Sequence, residues 1–342
     1  PDLLTLCAHL NGSEALPPSC TAGHQVPASY PDLCDVVGQA SARRAQEVAA
    51  CGGHNLLLNG PPGTGKTLLA SRLPGILPPP SKEEALVALA LRDFQDNQST
   101  ESALRRPFRA PHHSASAAAL IGGGSHPRPG EVSLAHGGVL LLDELPEFNR
   151  HCLESLREPL ESGQVTLSRA RHKLSYPASF QLVAAMNPCP CGYLGDAQSR
   201  CRCTPEQVQR YCNRISGPLL DRIDLQVEVQ RLPAAQLLRP GAGGEPSRTV
   251  RGRVADCRDR QQARQGSANA DLPASRLTNI CSLDATTSKS FERAAQAMRL
   301  SGRGLHRALR VARTIADLEA ADQVTTSHIR EALAFRADNG TT

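Results

Sequence analysis

The chain has no tryptophan, and its 342 residues include only six phenylalanines, four tyrosines and two methionines. So few rings exclude a nucleic-acid surface built from base-stacking platforms. Long apolar runs are missing too. Stretches such as Ala117 to Ile121 fall far short of the roughly 20 residues a bilayer span requires, so no membrane partner is expected. Lysine is scarce: of 38 basic residues only Lys66, Lys82, Lys173 and Lys289 are lysines. The net charge is +5, and the isoelectric point near 8.7 lies below the value of about 9 that marks a nucleic-acid-binding domain. Global charge therefore does not select a partner. The opening Pro1-Asp2-Leu3-Leu4 has no Met, no basic n-region and no apolar h-region, so it does not read as a secretory precursor. It reads as an excised piece of a cytoplasmic protein whose N-terminal part is missing.

What is present points to a core. At roughly 150 residues per domain the length suits about two domains, and 40% of residues are apolar. Twelve cysteines in so long a chain are expected to be thiols, a metal site or both, not a disulfide framework.

Residues 1–28 mix Pro, Ser, Gly and His without periodicity and read as a linker or the tail of a missing domain. From 29 to 232 helical and strand patterns alternate. A helix over 40–50 ends at Gly52-Gly53, a buried strand covers 55–58, and a helix from Lys66 to Leu73 is stopped by Pro74. Val139–Leu142 and Phe180–Ala185 suit central parallel strands, and Leu225–Val229 a late or edge strand. This is the pattern of an α/β doubly wound parallel sheet. Residues 233–249, rich in Pro and Gly, form a linker. Residues 250–338 carry only helical patterns: an amphipathic helix through Leu305, Ala308, Leu309, Ala312 and Ile315, and a last helix from an N-cap at Ser327 to Phe335. They predict a small all-helical domain.

Gly60-Pro61-Pro62-Gly63-Thr64-Gly65-Lys66-Thr67 fits G-x-x-x-x-G-K-[ST] between a predicted strand and a predicted helix, the context this loop requires. Its glycines let backbone N–H groups curl around the phosphates of ATP. Lys66 reaches the β and γ phosphates, Thr67 holds Mg²⁺, and Leu68 continues the binding segment. Val139-Leu140-Leu141-Leu142-Asp143-Glu144 is an apolar strand ending in two carboxylates. Asp143 is assigned to the metal and Glu144 to the attacking water, against the alternative of a solvated acidic pair. Asn187 follows a strand to the same sheet edge, where a neutral amide orients the lytic water or the γ-phosphate; otherwise it is a turn former. Cys189-Pro190-Cys191 and Cys201-Arg202-Cys203, nine residues apart, can close a tetrahedral Zn²⁺ site. Their one-residue internal spacing is shorter than usual, and unliganded thiols or redox chemistry stay open. Thr204-Pro205-Glu206 then caps a helix. Arg248 to Arg264, with six Arg and two Asp, reads as a solvated helix.

In order and spacing, G-P-P-G-T-G-K-T, V-L-L-L-D-E-L, A-A-M-N-P-C-P-C-G and G-P-L-L-D-R-I-D resemble the AAA+ ATPases of the magnesium-chelatase-like group, most closely the ComM (YifB) competence family. Phe108-Arg109-Ala110-Pro111-His112-His113 and Val311 to Leu318 add to the resemblance, which runs from about Asp32 to Phe335. It implies a P-loop AAA+ sheet followed by a helical lid, and a hexameric ring with ATP between subunits. It also implies single-stranded or branched DNA in the pore, with helicase or branch-migration activity. The family's Lon-protease-like N-terminal domain is absent from this chain.

By the same resemblance Arg222 matches an arginine finger supplied by the neighbouring subunit, a group worth roughly 10³ to 10⁵ in turnover. A surface ion pair with Asp221 or Asp224 is the alternative. Arg303 matches the sensor-2 arginine and Arg307 is the next candidate; with Arg310 they share the polar side of their helix, which a merely solvated basic face would also explain. Residues 163–176 read as a hairpin whose tip carries Arg169, Arg171, His172 and Lys173. The family places such a hairpin in the pore, where these cations grip phosphates without reading sequence. His112 and His113 suit loop packing or DNA contact more than metal ligation. Two other functions stay in view: a chelatase-type motor that remodels a partner enzyme, and a non-enzymatic nucleotide-gated scaffold.

Overall fold

Short apolar strands separated by helices assemble the centre of the chain. The computed structural model describes residues 3–16, 30–92, 105–123, 127–169, 172–196, 201–237 and 243–336. In chain order the strands are β1 (Leu56–Asn59), β2 (Phe108–Arg109), β3 (Gly122–Gly123), β4 (Arg128–Pro129), β5 (Val139–Leu142), β6 (Gln164–Arg169), β7 (His172–Pro177), β8 (Gln181–Met186) and β9 (Leu225–Glu228). Five of them form one sheet in the order β2-β5-β8-β1-β9, with every pairing parallel. β3–β4 and β6–β7 are separate antiparallel pairs.

Side chains alternate across each strand, so both faces of the sheet need cover. Leu56, Leu58, Val139, Leu141, Val183 and Ala185 face the helices Ala40–Gly52 and Lys66–Ile76, in one apolar cluster. Leu57, Leu140, Leu142, Leu182 and Ala184 face the opposite cluster, which holds Leu145, Phe148, Leu153, Ile215 and Leu219. Apolar contact on both sides is why β5 reads as an unbroken Val-Leu-Leu-Leu. A fully buried leucine of this kind contributes roughly 1.5–3 kcal/mol.

From Ser247 onward the described residues are helical: Ser247–Gln265, Ala274–Cys281, Ala285–Ala297, Gly302–Leu318 and Thr326–Ala334. Their apolar residues, Val250, Val254, Ala308, Ala312 and Ile315 among them, belong to the same cluster as the first sheet face. The fold is thus an α/β parallel sheet followed by a helical region that packs against it. None of the described helices is long and apolar enough to cross a membrane.

The structure departs from the sequence reading at several points. Leu3–Leu10 is helical where composition predicts a structureless tail. Pro74 does not stop its helix, which continues to Ile76 with Pro74 buried inside the last turns. A single lost N–H is tolerated there, and the true stop is Leu77, held extended before Pro78. The last helix is capped by Thr325, not Ser327; the Thr325 N–H donates to His328 Nδ1 at 3.0 Å. The helix Ser247–Gln265 is not simply solvated. Arg258 donates to the Ala50 carbonyl, Arg251 to the Gly75 carbonyl and Arg264 to Asp317, so its arginines tie the helical region to the sheet's flanking helices and to itself. Periodicity misses this, because an arginine bonding a helix-end carbonyl looks like a surface arginine.

Candidate nucleotide site

Neighbouring parallel strands lie about 4.8 Å apart and point the same way. The segments leaving β5, β8 and β1 therefore emerge side by side at one sheet edge. They are Asp143 and Glu144 after β5, Asn187 after β8, and the Gly60–Thr67 loop after β1. The loop closes tightly over the strand ends. Gly60 donates to the Met186 carbonyl at 3.2 Å, and a Cβ on Gly60 would stand 2.2 Å from the Val229 carbonyl oxygen. Gly63 and Gly65 have φ of +77° and +89°, left-handed values that glycine adopts without penalty. Gly65 is the N-cap of Lys66–Ile76, whose first N–H groups face the loop as an anion-binding end.

Lys66 is buried, and its ammonium donates to the carbonyls of Gly60 (2.6 Å) and Pro61 (2.8 Å) and to Oδ1 of Asn187 (3.1 Å). Burial lowers its pKa, a shift that Asp143 and Glu144 partly oppose. The Thr67 hydroxyl donates to Oδ2 of Asp143 at 2.6 Å, while Oδ1 of Asp143 accepts the N–H of Glu144. Hydroxyl and carboxylate together form a hard-oxygen pair that suits Mg²⁺. Glu144 has φ 54° and ψ 47°, rare for a residue with a side chain. Its carboxylate lies 3.1 Å from Nδ1 of His113, whose ring meets Phe148 edge-on.

The arginines occupy the other end of the sheet. Arg222 precedes β9, so it lies with Asn55 at the amino ends of the strands; Asn55 Nδ2 donates to the Arg222 carbonyl at 2.9 Å. From Asn55 to Gly60 the chain advances five residues, about 16 Å of strand. Arg222 is 4% exposed and pairs with Glu161 and the Pro218 carbonyl, not with Asp221 or Asp224. Asp224 is instead taken by Arg307, at 2.7 Å. Burial, together with the neighbouring Arg157, Arg303 and Arg307 cations, outweighs Glu161 and lowers the Arg222 pKa. Glu161, Arg222, Arg303, His306, Arg307 and Arg310 line a cavity of about 270 Å³. Lys66 and this arginine cluster therefore sit at opposite edges of one sheet.

The four-cysteine segment leaves the sheet directly after Asn187. The Cys189 and Cys191 sulfurs are 3.3 Å apart and lie 3.7 and 3.6 Å from that of Cys201. With Cys203 all four ligand atoms fall within 4.8 Å of one another. Tetrahedral Zn–S bonds of about 2.3 Å separate sulfurs by roughly 3.8 Å, so the cluster has the right size. Backbone N–H groups of Tyr193 and Arg202 hold the Cys191 thiol down to about 6, whereas the thiols of Cys201 and Cys203 are pushed up. Thr204 caps Pro205–Cys212 through a reciprocal bond pair with Gln207.

The basic hairpin is present as β6–β7, with Arg169 paired in register to His172 and Ser168 to Lys173; Arg171 lies outside the described residues. Sequence reasoning misses His113 as the partner of Glu144, although the His-His pair stands out in the chain. It also misses Gln39, a left-handed residue whose side-chain amide donates to the carbonyls of Gln230 (2.7 Å) and Thr64 (3.4 Å). Gln39 borders a cavity of about 430 Å³ with Glu228, Leu232 and Phe335. Its only sequence signal is a Gly-Gln pair just before a helix.

Comparison with known proteins places the chain in a family. The family model for magnesium chelatase, subunit ChlI, matches residues 32–237, and that for the ChlI C-terminal region matches 244–336. The chain is 50% identical over 336 residues to the uncharacterized protein YifB of Salmonella typhimurium, covering 98% of this chain and 66% of that protein. It is 47% identical over 341 residues to the competence protein ComM of Haemophilus influenzae, covering 98% and 67%. Lon protease 2 of Bacillus subtilis is 28% identical over 190 residues, 49% of this chain and 34% of that one. The chain spans about two thirds of the length of the first two relatives. With both of its segments matched by family models and nearly all of its length by such relatives, the chain belongs to the magnesium-chelatase-like AAA+ family, in its ComM/YifB group.

Proposed function

We propose that the chain is the ATP-hydrolysing part of a ring motor that acts on single-stranded or branched DNA, as a helicase or branch-migration translocase. The observation that carries the reading is the separation of two half-sites in one chain. Lys66, Thr67, Asp143 and Asn187 stand at the carboxyl edge of the sheet, and Arg222, Arg303 and Arg307 at the amino edge, with roughly 16 Å of strand between them. Cations so placed complete a nucleotide site only on another copy. A head-to-tail contact of that kind, repeated, closes a ring, here taken as a hexamer.

In this reading the Gly60–Thr67 loop cradles the phosphates of ATP and Lys66 turns from its carbonyl partners to the β and γ phosphates. Thr67 and Asp143 would hold Mg²⁺, which would supply charge neutralisation at the phosphates. Glu144 takes the proton of the attacking water, Asn187 orients that water, and the neighbour's Arg222, once released from its own Glu161 and Pro218 carbonyl, meets the charge developing on the γ-phosphate. The adenosine end lies in the cavity beside Gln39. Arg303 and Arg307 then serve a neighbour's nucleotide, and the 163–176 hairpin meets the DNA backbone in the pore. Zn²⁺ held by Cys189, Cys191, Cys201 and Cys203 is a second, structural metal. The linker expected over 233–249 is shorter than that, because a short helix covers Ala234–Leu237 and the first helix of the lid begins at Ser247. The ChlI family models favour one alternative, a chelatase-type motor acting on a partner protein.

Mixing Arg222→Ala with Lys66→Ala chains tests the shared site. Hybrid interfaces carrying an intact loop and an intact arginine restore part of the ATPase; no recovery at any mixing ratio refutes a finger acting between copies. The same assay with and without branched DNA separates the two motors, since a DNA motor is stimulated and a chelatase-type motor is not.

A further inference from the structure

The four-cysteine segment does more than leave the sheet; it returns to the phosphate loop. Cys189 is two residues beyond Asn187 and is buried. Gly192 has φ +85°, and a Cβ there would stand 2.7 Å from Cδ of Pro62 and 3.7 Å from Cγ of Asn187. Pro62 adjoins Gly60 and Pro61, the two carbonyls that hold the Lys66 ammonium. Beyond the contact, Asp196 lies 3.5 Å from Arg231, whose guanidinium sits 6.0 Å over the Tyr193 ring. Arg231 is two residues past Val229, whose carbonyl abuts Gly60. The segment thus touches the phosphate loop directly at one point and indirectly at a second.

Little apolar burial holds it in that shape. Leu194 is 41% exposed, and among the described residues 188–196 no helix or strand occurs. The ordering entropy of such a loop, about 1–2 kcal/mol per residue, needs another source of free energy, which a structural metal supplies.

We propose that zinc in the Cys189–Cys191–Cys201–Cys203 cluster is a positioning element for the nucleotide site. The ion fixes the loop so that Gly192 seats against Pro62 and Asn187 stays directed at Lys66, and its loss weakens nucleotide binding although no cysteine meets a phosphate. This inference rests on the zinc reading above. It assigns the knuckle a task beyond stability, because the clamp and the cradle meet at one glycine with no space for a methyl group.

The test measures zinc content and the affinity for a fluorescent ADP in the full chain, in Gly192→Ala and in Cys201→Ser. About one zinc per chain is expected in the wild type and in Gly192→Ala, and none in Cys201→Ser. The ADP dissociation constant is expected to rise tenfold or more in both variants. In the wild type it should rise likewise on chelation and recover when zinc is returned. If Cys201→Ser does not fold, Gly192→Ala and the chelation cycle decide. Wild-type affinity in the zinc-stripped chain or in Gly192→Ala overturns the proposal and leaves the zinc site standing. A wild-type chain that purifies and folds without zinc refutes the metal reading itself, and with it this one.

Discussion

The guanidinium of Arg307, on a C-terminal helix, meets the buried carboxylate of Asp224 at 2.7 Å just before strand β9. The same carboxylate accepts the Asn55 N–H at 3.1 Å, and Nδ1 of His54 lies 3.5 Å away. One acid therefore joins the helical region to the amino edge of the sheet, where the arginine cluster stands. Burial alone would raise its pKa, but His54, Arg307 and the Asn55 N–H outweigh it and hold Asp224 below the ordinary carboxylate range. A depressed folded pKa contributes stability that is complete above the unfolded value, about 3.9, and fades as pH falls below it. Asp224→Asn should cost about 3 kcal/mol at neutral pH and should lack that part of the acid limb. Urea unfolding from pH 7 to pH 3 measures both, and a variant with an unchanged midpoint at pH 7 contradicts the assignment.

Glu144 should be separable from binding. Glu144→Gln keeps the volume and the left-handed backbone but not the base, so turnover should fall by about 10² to 10⁴ while ATP is still retained. Single-turnover hydrolysis alongside equilibrium binding checks this. A variant that turns over normally removes Glu144 as the base.

The hairpin tip should act through charge alone. With Arg169 and Lys173 both changed to Ala, single-stranded DNA binding should weaken for every sequence alike. The slope of log affinity against log salt should become shallower by roughly 0.7 for each phosphate no longer neutralised. Titrations at several salt concentrations give the slope; an unchanged one places the DNA elsewhere.

The sheet that aligns the site has its own measurable cost. Leu141 is 2% exposed on β5, two residues before Asp143. Leu141→Ala should destabilise by about 2–5 kcal/mol, because the removed methyl groups no longer escape water and a cavity stays behind them. Denaturant unfolding reads this, and a loss under about 1 kcal/mol would mean that the strand is less enclosed than its neighbours indicate.

Much of this is legible in residue order. An apolar run ending in Asp143-Glu144 reads as a central strand with carboxylates at its carboxyl end, because both faces of a parallel sheet are covered. A glycine-rich loop between strand and helix has one common use. Pro74 misleads because the rule for proline ignores how little one missing N–H matters near a helix end. Ser327 competes with Thr325 because three adjacent hydroxyl residues offer equal caps, and the side chain of His328 selects among them.

The sequence by itself determined four of the five strands of the parallel sheet and the basic hairpin, though not β2, β3 or β4; it also determined which ends carry the loop, the carboxylates and Asn187, and where the cysteine pairs fall, since those depend on period, spacing and residue type. Only the tertiary structure decided strand order. That order placed Asn187 between Asp143 and Lys66, put Arg222 and Arg307 at the far edge, and brought His113 to Glu144 and Gly192 to Pro62. Contacts of this kind join residues dozens of positions apart, and no local pattern encodes them; they arise from the packing of helices over a sheet whose two edges cannot touch.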